Sequence, residues 1–232
     1  MNNRHVLMGA SLLLTLFVWQ SMLGTMALAV GFIIMLAIHE AGHWLAAKQL
    51  GLPVSAPIFT PLGAMIIMPT LPKSAKEEAY IGIAGPVLGT VGAVAGFVLG
   101  VLLGVKDLVY VSQMAFMLNL FNLIPLAPLD GGRISMVISR HLWVLGAPLL
   151  AWVVWSSGFS PMTVLVSVLI GWQAFQDIAM RKQMAQFNPQ YFQPTFAVRA
   201  SYTAVYVGLA AFLAWAFFVP AQFAGLLINI FG

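Results

Sequence analysis

The stretch LAIHEAGHWLAA, residues 36–47, sets two chemistries against each other. Its leucines, alanines, isoleucine and tryptophan read as a membrane-buried helix, yet His39, Glu40 and His43 place three ionisable groups within five residues. Burying such groups in hydrocarbon is costly, so an ionisable cluster at membrane depth marks a functional site. Whether this stretch lies at membrane depth is decided by the rest of the chain.

The 232 residues are 61% hydrophobic and 7% charged, with a mean hydropathy of +0.97. That balance lies far outside the range of soluble domains. Long apolar runs recur from end to end, which predicts an all-α polytopic membrane protein with six to seven transmembrane helices. The expected organisation is one domain over residues 1–232, with a core at roughly 26–135 and C-terminal helices over 141–219. Hydropathy and helix breakers place spans near 6–23, 26–49, 79–104, 108–125, 141–156, 161–179 and 200–219. Residues 221–232 are apolar but too short to cross, and read as interfacial. The N-terminal MNNRHVLMGASLLLTLFVWQ has the layout of a signal peptide, with Ala27-Leu28-Ala29 in the place of a cleavage site. Because the apolar run continues into the next helix, a retained first span is the better reading.

The formal charge of +4 comes from scattered residues that form no basic patch, which argues against a nucleic-acid partner. The placement of those residues reports topology instead. With Arg4 cytoplasmic, Lys48, Lys73, Lys76, Arg133, Arg140, Arg181, Lys182 and Arg199 all fall in inside loops, and only Lys106 falls outside. His43 then lies about 8 Å and His39 about 14 Å inward of Lys48 along the second helix, in the cytoplasmic half of the bilayer. Cysteine is absent, so any metal must be held by His, Asp or Glu.

Histidines at i and i+4 lie one turn apart on one helical face, where both imidazoles can reach a single ion. Glu40 sits about 100° around the helix from His39. It is poorly placed to join the same bite and well placed to act as general base toward a water on the metal. The alternative is a pair of packing histidines satisfied by neighbouring helices, with Glu40 bonded to a Ser or Thr. His5, near the terminus, and His141, at a loop edge, read as interfacial.

A tetrahedral zinc site needs one more protein ligand. The remaining acids are Glu77, Glu78, Asp107, Asp130 and Asp177. Asp130 stands in FNLIPLAPLDGGRI, residues 121–134, at the cytoplasmic end of the fourth span. Pro125 and Pro128 break the helix, and Gly131 and Gly132 are expected to permit a tight turn after the aspartate. Asp130 is thus the candidate third ligand, against the alternative of an ordinary turn residue. Asp177 is the rival on the same side, and Asp107 lies on the opposite side.

With these residues in view, the chain resembles the site-2 protease family of intramembrane zinc metalloproteases. The carrying motifs are HEAGH at 39–43 and NLIPLAPLDGG at 122–132, with GIAGPVLG at 82–89 as a weaker match to a Gly-Pro helix start. The resemblance implies that His39, His43 and Asp130 bind one Zn²⁺ per chain and that Glu40 activates the water. It also implies that Asn122 helps hold the substrate carbonyl or the developing oxyanion. The alternative for Asn122 is bonding between helices, a packing role that Asn119 one turn earlier could also fill. There is no room for the PDZ or nucleotide-sensing domains that many members carry, so the chain resembles the compact branch. The implied substrates are single-span membrane proteins or leftover signal peptides, cleaved in a prokaryotic cytoplasmic membrane with the active site toward the cytoplasm. Nothing in the sequence speaks to oligomeric state.

Residues 51–72, GLPVSAPIFTPLGAMIIMPTLP, are apolar but riddled with Pro and Gly. They read as two short strands, APIF and GAMIIM, in a small hairpin after the metal helix. Gly63, Ala64, Met65 and Ile66 form the candidate edge that captures an extended substrate by main-chain pairing, a re-entrant plug being the alternative. In the third span Gly82, Gly85, Gly89, Gly92, Gly96, Gly100 and Gly104 make one small-residue stripe, read as a packing face for the metal helix or the Asp130 segment. Segment 180–199 mixes basic and aromatic residues and reads as an interfacial anchor. A rival reading from another class is a metal or proton transporter with His39, Glu40 and His43 on a permeation path. That reading calls for further ionisable side chains on other helices, and the chain offers almost none.

Overall fold

The computed structural model describes residues 3–218 apart from Leu62 and Arg140, and only the backbone of residues 3–7. The interfacial reading of 221–232 and the side chains of Arg4, His5 and Arg140 lie outside the described residues. The described chain is helical apart from one hairpin. In order come α1 (Asn3–Leu23), α2 (Met26–Gln49), β1 (Ile58–Thr60), β2 (Gly63–Met65), α3 (Ala75–Leu102) and α4 (Lys106–Asn122). Then follow α5 (Asp130–Ile138), α6 (Trp143–Ser156), α7 (Pro161–Phe187), a 3-10 turn (Pro189–Phe192) and α8 (Phe196–Phe218).

Four of these helices, α2, α3, α7 and α8, are long and apolar enough to cross a membrane. Met8–Leu23 within α1 and α6 are shorter apolar helices, and α4 falls in neither group. With the whole chain's hydropathy, this makes the protein an integral membrane protein.

The chain divides into two compact units. The first comprises Met1–Thr70, Ala84–Asn119 and Ala211–Gly232. Here Thr25 caps α2, its side chain accepting from the Leu28 N–H at 3.2 Å. Trp19 of α1 stacks on Phe32 of α2 with ring centroids 4.3 Å apart. β1 and β2 pair antiparallel in the register Ile58↔Met65, Phe59↔Ala64 and Thr60↔Gly63. Beyond that ladder the Ser55 N–H donates to the Ile67 carbonyl at 2.9 Å. α1 covers β1, with the Ser11 hydroxyl donating to the Phe59 carbonyl. The expected strands are present but shorter than APIF and GAMIIM suggested, and Ile66 lies just past the end of β2.

The glycine stripe of α3 is a packing face, as the sequence suggested. A Cβ on Gly85 would overlap the His43 imidazole of α2, one on Gly92 would meet Ile38, and one on Gly89 would overlap the Asn119 amide of α4. The helices touch backbone to side chain here because glycine has nothing to hold them apart. The Gly-Pro pair sits differently from expectation. Pro86 lies inside α3, which starts at Ala75, so it does not mark a helix start. The start is made by Ser74 and Glu77 as a capping box: the Glu77 N–H donates to Ser74 Oγ at 3.3 Å, and Glu77 Oε2 accepts from the Lys73 N–H at 2.8 Å.

The second unit comprises Leu71–Ile83 and Leu120–Ala210. One apolar cluster joins Ile124, Leu126 and Leu129 of the α4–α5 connection to Leu150 of α6 and to Ile170 and Ala174 of α7. A second joins Ala75 and Ala79 of α3 to Met136 and Val137 of α5 and to Tyr191. α7 runs on to Phe187, past the end near 179 that the sequence suggested, and its added length carries a bond from Arg181 to Asp177 one turn back at 2.5 Å.

Candidate metal centre

In the first unit, α2 buries His39 and His43, one turn apart on one face, together with Leu36, Gly42 and Ala46. The Nε2 atoms of His39 and His43 face each other at 3.1 Å, and the two rings stand at 79°. Two nitrogens bound tetrahedrally to one zinc lie about 3.3 Å apart, so the pair is already set to the bite of a single ion. The close approach of α3 shapes this pocket. At Gly85 no larger residue leaves room for the His43 ring, and at Gly42 a Cβ would strike the Ala84 carbonyl.

The other nitrogen of His39 is also held. Its Nδ1 lies 2.8 Å from Asn119 Oδ1, while Asn119 Nδ2 donates to the Ala115 carbonyl at 2.8 Å. Asn119 is 1% exposed. A histidine whose outer nitrogen is tied to an acceptor is the usual arrangement behind a metal ligand. The sequence marked Asn119 as able to bond between helices but gave no sign that its partner is His39, because it lies outside both motifs and meets that ring only through tertiary packing. Glu40, also buried, sits on the neighbouring face of α2.

The second unit holds Asp130, buried at the first position of α5, and Asn122, half-buried at the last position of α4. The chain between them is broken by Pro125 and Pro128, as expected, and is held by short-range bonds such as Leu129 N–H to the Leu126 carbonyl at 3.0 Å. Tyr206 of α8 donates its hydroxyl to the Leu123 carbonyl, satisfying a group that the broken helix leaves over. Gly131 and Gly132 correct the expectation of a tight turn. Both lie in the first turn of α5, and they are glycines because the backbone of residues 123–127 runs against them; a Cβ would overlap the Leu123 and Ile124 carbonyls or Ala127 N. Asp130 is therefore presented by a helix N-terminus, where a carboxylate is favoured.

The other acids of this unit are engaged elsewhere. Arg181 forms a two-pronged pair with Glu78, at 3.0 and 2.5 Å, and also holds Asp177, the rival ligand. The Tyr191 hydroxyl donates to Glu78 at 2.8 Å, and burial together with that carboxylate pushes its pKa up from the usual 10.0. Glu77 caps α3, and in the first unit Asp107 is exposed in the first turn of α4.

Residues 27–113, which contain the paired histidines, match peptidase family M50. A zinc metalloprotease of Methanocaldococcus jannaschii is 34% identical over 113 residues, 44% of this chain and 31% of that protein. Rip3 of Mycobacterium tuberculosis is 31% identical over 123 residues, 50% of this chain and 30% of its own length. Over residues 27–113 the chain is similar to peptidase family M50. The chain spans about a third of the length of these curated relatives. At the level of fold it is similar to the solved site-2 protease of M. jannaschii, with a TM-score of 0.51 over 74% of this chain and 88% of that one, at 23% identity.

Proposed function

We propose that this chain is a zinc-dependent intramembrane peptidase of the M50 type in which His39, His43 and Asp130 hold one Zn²⁺ and Glu40 is the general base. The observation that carries the reading is the facing pair of imidazole nitrogens, 3.1 Å apart, on a helix apolar enough to span a membrane. Both histidines are buried in the first unit and Asp130 is buried in the second, and the similarity of residues 27–113 to a peptidase family supports reading the three as ligands of one ion. The donor set of two imidazoles and a carboxylate suits zinc and leaves a position for water. When bound, zinc supplies Lewis acidity, lowering the pKa of water to about 7 and polarising the scissile carbonyl.

The protein's own groups do the rest. Glu40 takes the proton of the attacking water and passes it to the leaving amine. The Asn122 amide donates to the carbonyl oxygen as charge develops there. A helical substrate hides its peptide bonds in its own hydrogen bonds, so it must unwind before cleavage. The free edge of β2 at Gly63, Ala64 and Met65, with Ile66 beyond it, receives the extended segment by main-chain pairing; the cover of α1 over β1 supports this choice of edge.

The substrates proposed are single-span membrane proteins or signal-peptide remnants in a prokaryotic cytoplasmic membrane, cut on the cytoplasmic side. The one-sided distribution of Lys and Arg supports that orientation. The transporter reading is weakened because Glu78 and Asp177 are committed to Arg181 and Glu77 to a cap. The test is zinc content and cleavage of a panel of single-span substrates by wild type and Glu40→Gln. The variant is expected to keep zinc and lose cleavage. An active Glu40→Gln protein, or zinc flux in liposomes without hydrolysis, would overturn the reading.

A further inference from the structure

We propose that Asn119 is a positioning residue that fixes His39 in its Nδ1–H form and so turns the bare Nε2 toward the metal. The inference rests on the reading of His39 as a zinc ligand, but the geometry behind it is independent of any ion. An amide can be turned either way, and here its environment chooses. The Ala115 carbonyl can only accept, so the NH₂ end of Asn119 must face it, at 2.8 Å. That leaves Oδ1 toward His39 Nδ1, also at 2.8 Å. Because an amide oxygen can only accept, the histidine nitrogen opposite must carry the hydrogen. A neutral imidazole has a single N–H, so the lone pair falls on Nε2, the atom that faces His43.

The arrangement has no room to relax. Asn119 is buried, and α3 closes over its amide at Gly89, where a Cβ would overlap Oδ1. Turning the amide around would set Oδ1 against the Ala115 carbonyl oxygen, two acceptors face to face in a buried site. Three helices thus cooperate to select one tautomer. α2 supplies the ring, α4 the acceptor and α3 the glycine that lets them meet.

The experiment uses the full chain in detergent, labelled with ¹⁵N-histidine and stripped of metal, with His39→Ala to assign the signal. Two-bond ¹H–¹⁵N correlations read which ring nitrogen carries the hydrogen. Zinc affinity is then measured by competition with a chelator for wild type, Asn119→Leu and Asn119→Asp, alongside thermal unfolding. Wild type is expected to show His39 protonated at Nδ1. Asn119→Leu keeps the shape without the acceptor and is expected to bind zinc about 10- to 100-fold more weakly. Asn119→Asp restores an acceptor and is expected to bind at least as tightly as wild type, a rescue that a purely structural role would not produce. A wild-type signal with hydrogen on Nε2, or wild-type affinity in Asn119→Leu, overturns the inference. If Asn119→Leu fails to fold, the wild-type tautomer and the Asp rescue decide it. Failure of the ligand reading looks different: His39→Ala then binds zinc as well as wild type, whatever the tautomer.

Discussion

Gly85→Ala puts one methyl group where the structure has none to spare. The new Cβ would fall on the His43 ring, overlapping Nε2, Cε1 and Cδ2 together. Ordinary contact needs about 3.5 Å between such atoms, so the ring or α3 must retreat by about 1 Å. Overpacking of that kind costs about 1–3 kcal/mol of stability. A misplacement of about 1 Å in a catalytic constellation costs about 100-fold in rate. Loss of function should therefore far exceed loss of stability. Two other glycines of the chain give the scale. Gly92→Ala meets the Ile38 Cγ2 methyl at 2.9 Å, so that the β-branched side chain must give by about half an ångström, and Gly171→Ala meets nothing within 4 Å. The gain in helix propensity of about 1 kcal/mol is unopposed at Gly171 and offsets part of the crowding at Gly92. The assay is zinc affinity, substrate cleavage and thermal unfolding of the three variants in parallel. Gly85→Ala is expected to lose about 100-fold in cleavage with weakened zinc binding, while the other two stay within a few-fold of wild type. A Gly85→Ala protein with wild-type zinc affinity and cleavage would refute the placement of His43 in the site.

Three further outcomes follow from the second unit. Glu78→Gln removes the main partner of a nearly buried Arg181, whose side chain is 12% exposed, and is expected to destabilise the fold by about 3 kcal/mol in thermal or denaturant unfolding. Tyr191 holds its proton in the folded state above its ordinary pKa of 10.0, so its contribution is intact below pH 10 and is lost as pH rises further. Tyr191→Phe is expected to lower stability at neutral pH by about 1 kcal/mol and to flatten the alkaline decline measured by unfolding between pH 9 and about 12. Tyr206→Phe removes the hydroxyl from the Leu123 carbonyl and is expected to cost about 1 kcal/mol and to reduce cleavage several-fold, since that carbonyl belongs to the segment that presents Asp130.

How much of this could be read beforehand depended on the range of each interaction. The histidine pair was legible because its geometry is set within one turn of one helix. So was the glycine stripe, whose period is that of the helix carrying it. Helix α5 was not, because Asp130-Gly131-Gly132 has the local signature of a turn; only the backbone of residues 123–127 lying against it explains the glycines. The grip of Arg181 on Glu78 crosses 103 residues, and no local pattern announces it. Asn119 is the clearest case: in sequence it is one polar residue in an apolar helix, and its meaning comes from a ring eighty residues earlier.

The central claim is a single zinc gripped by the α2 histidines and the Asp130 carboxylate. X-ray absorption at the zinc edge of the purified, zinc-loaded protein tests it most directly, comparing wild type with Asp130→Ala. The account predicts one zinc per chain with two imidazole nitrogens and a carboxylate oxygen at about 2.0–2.2 Å, and loss of that oxygen with much of the bound metal in the variant. An unchanged coordination shell and full zinc occupancy in Asp130→Ala would contradict it.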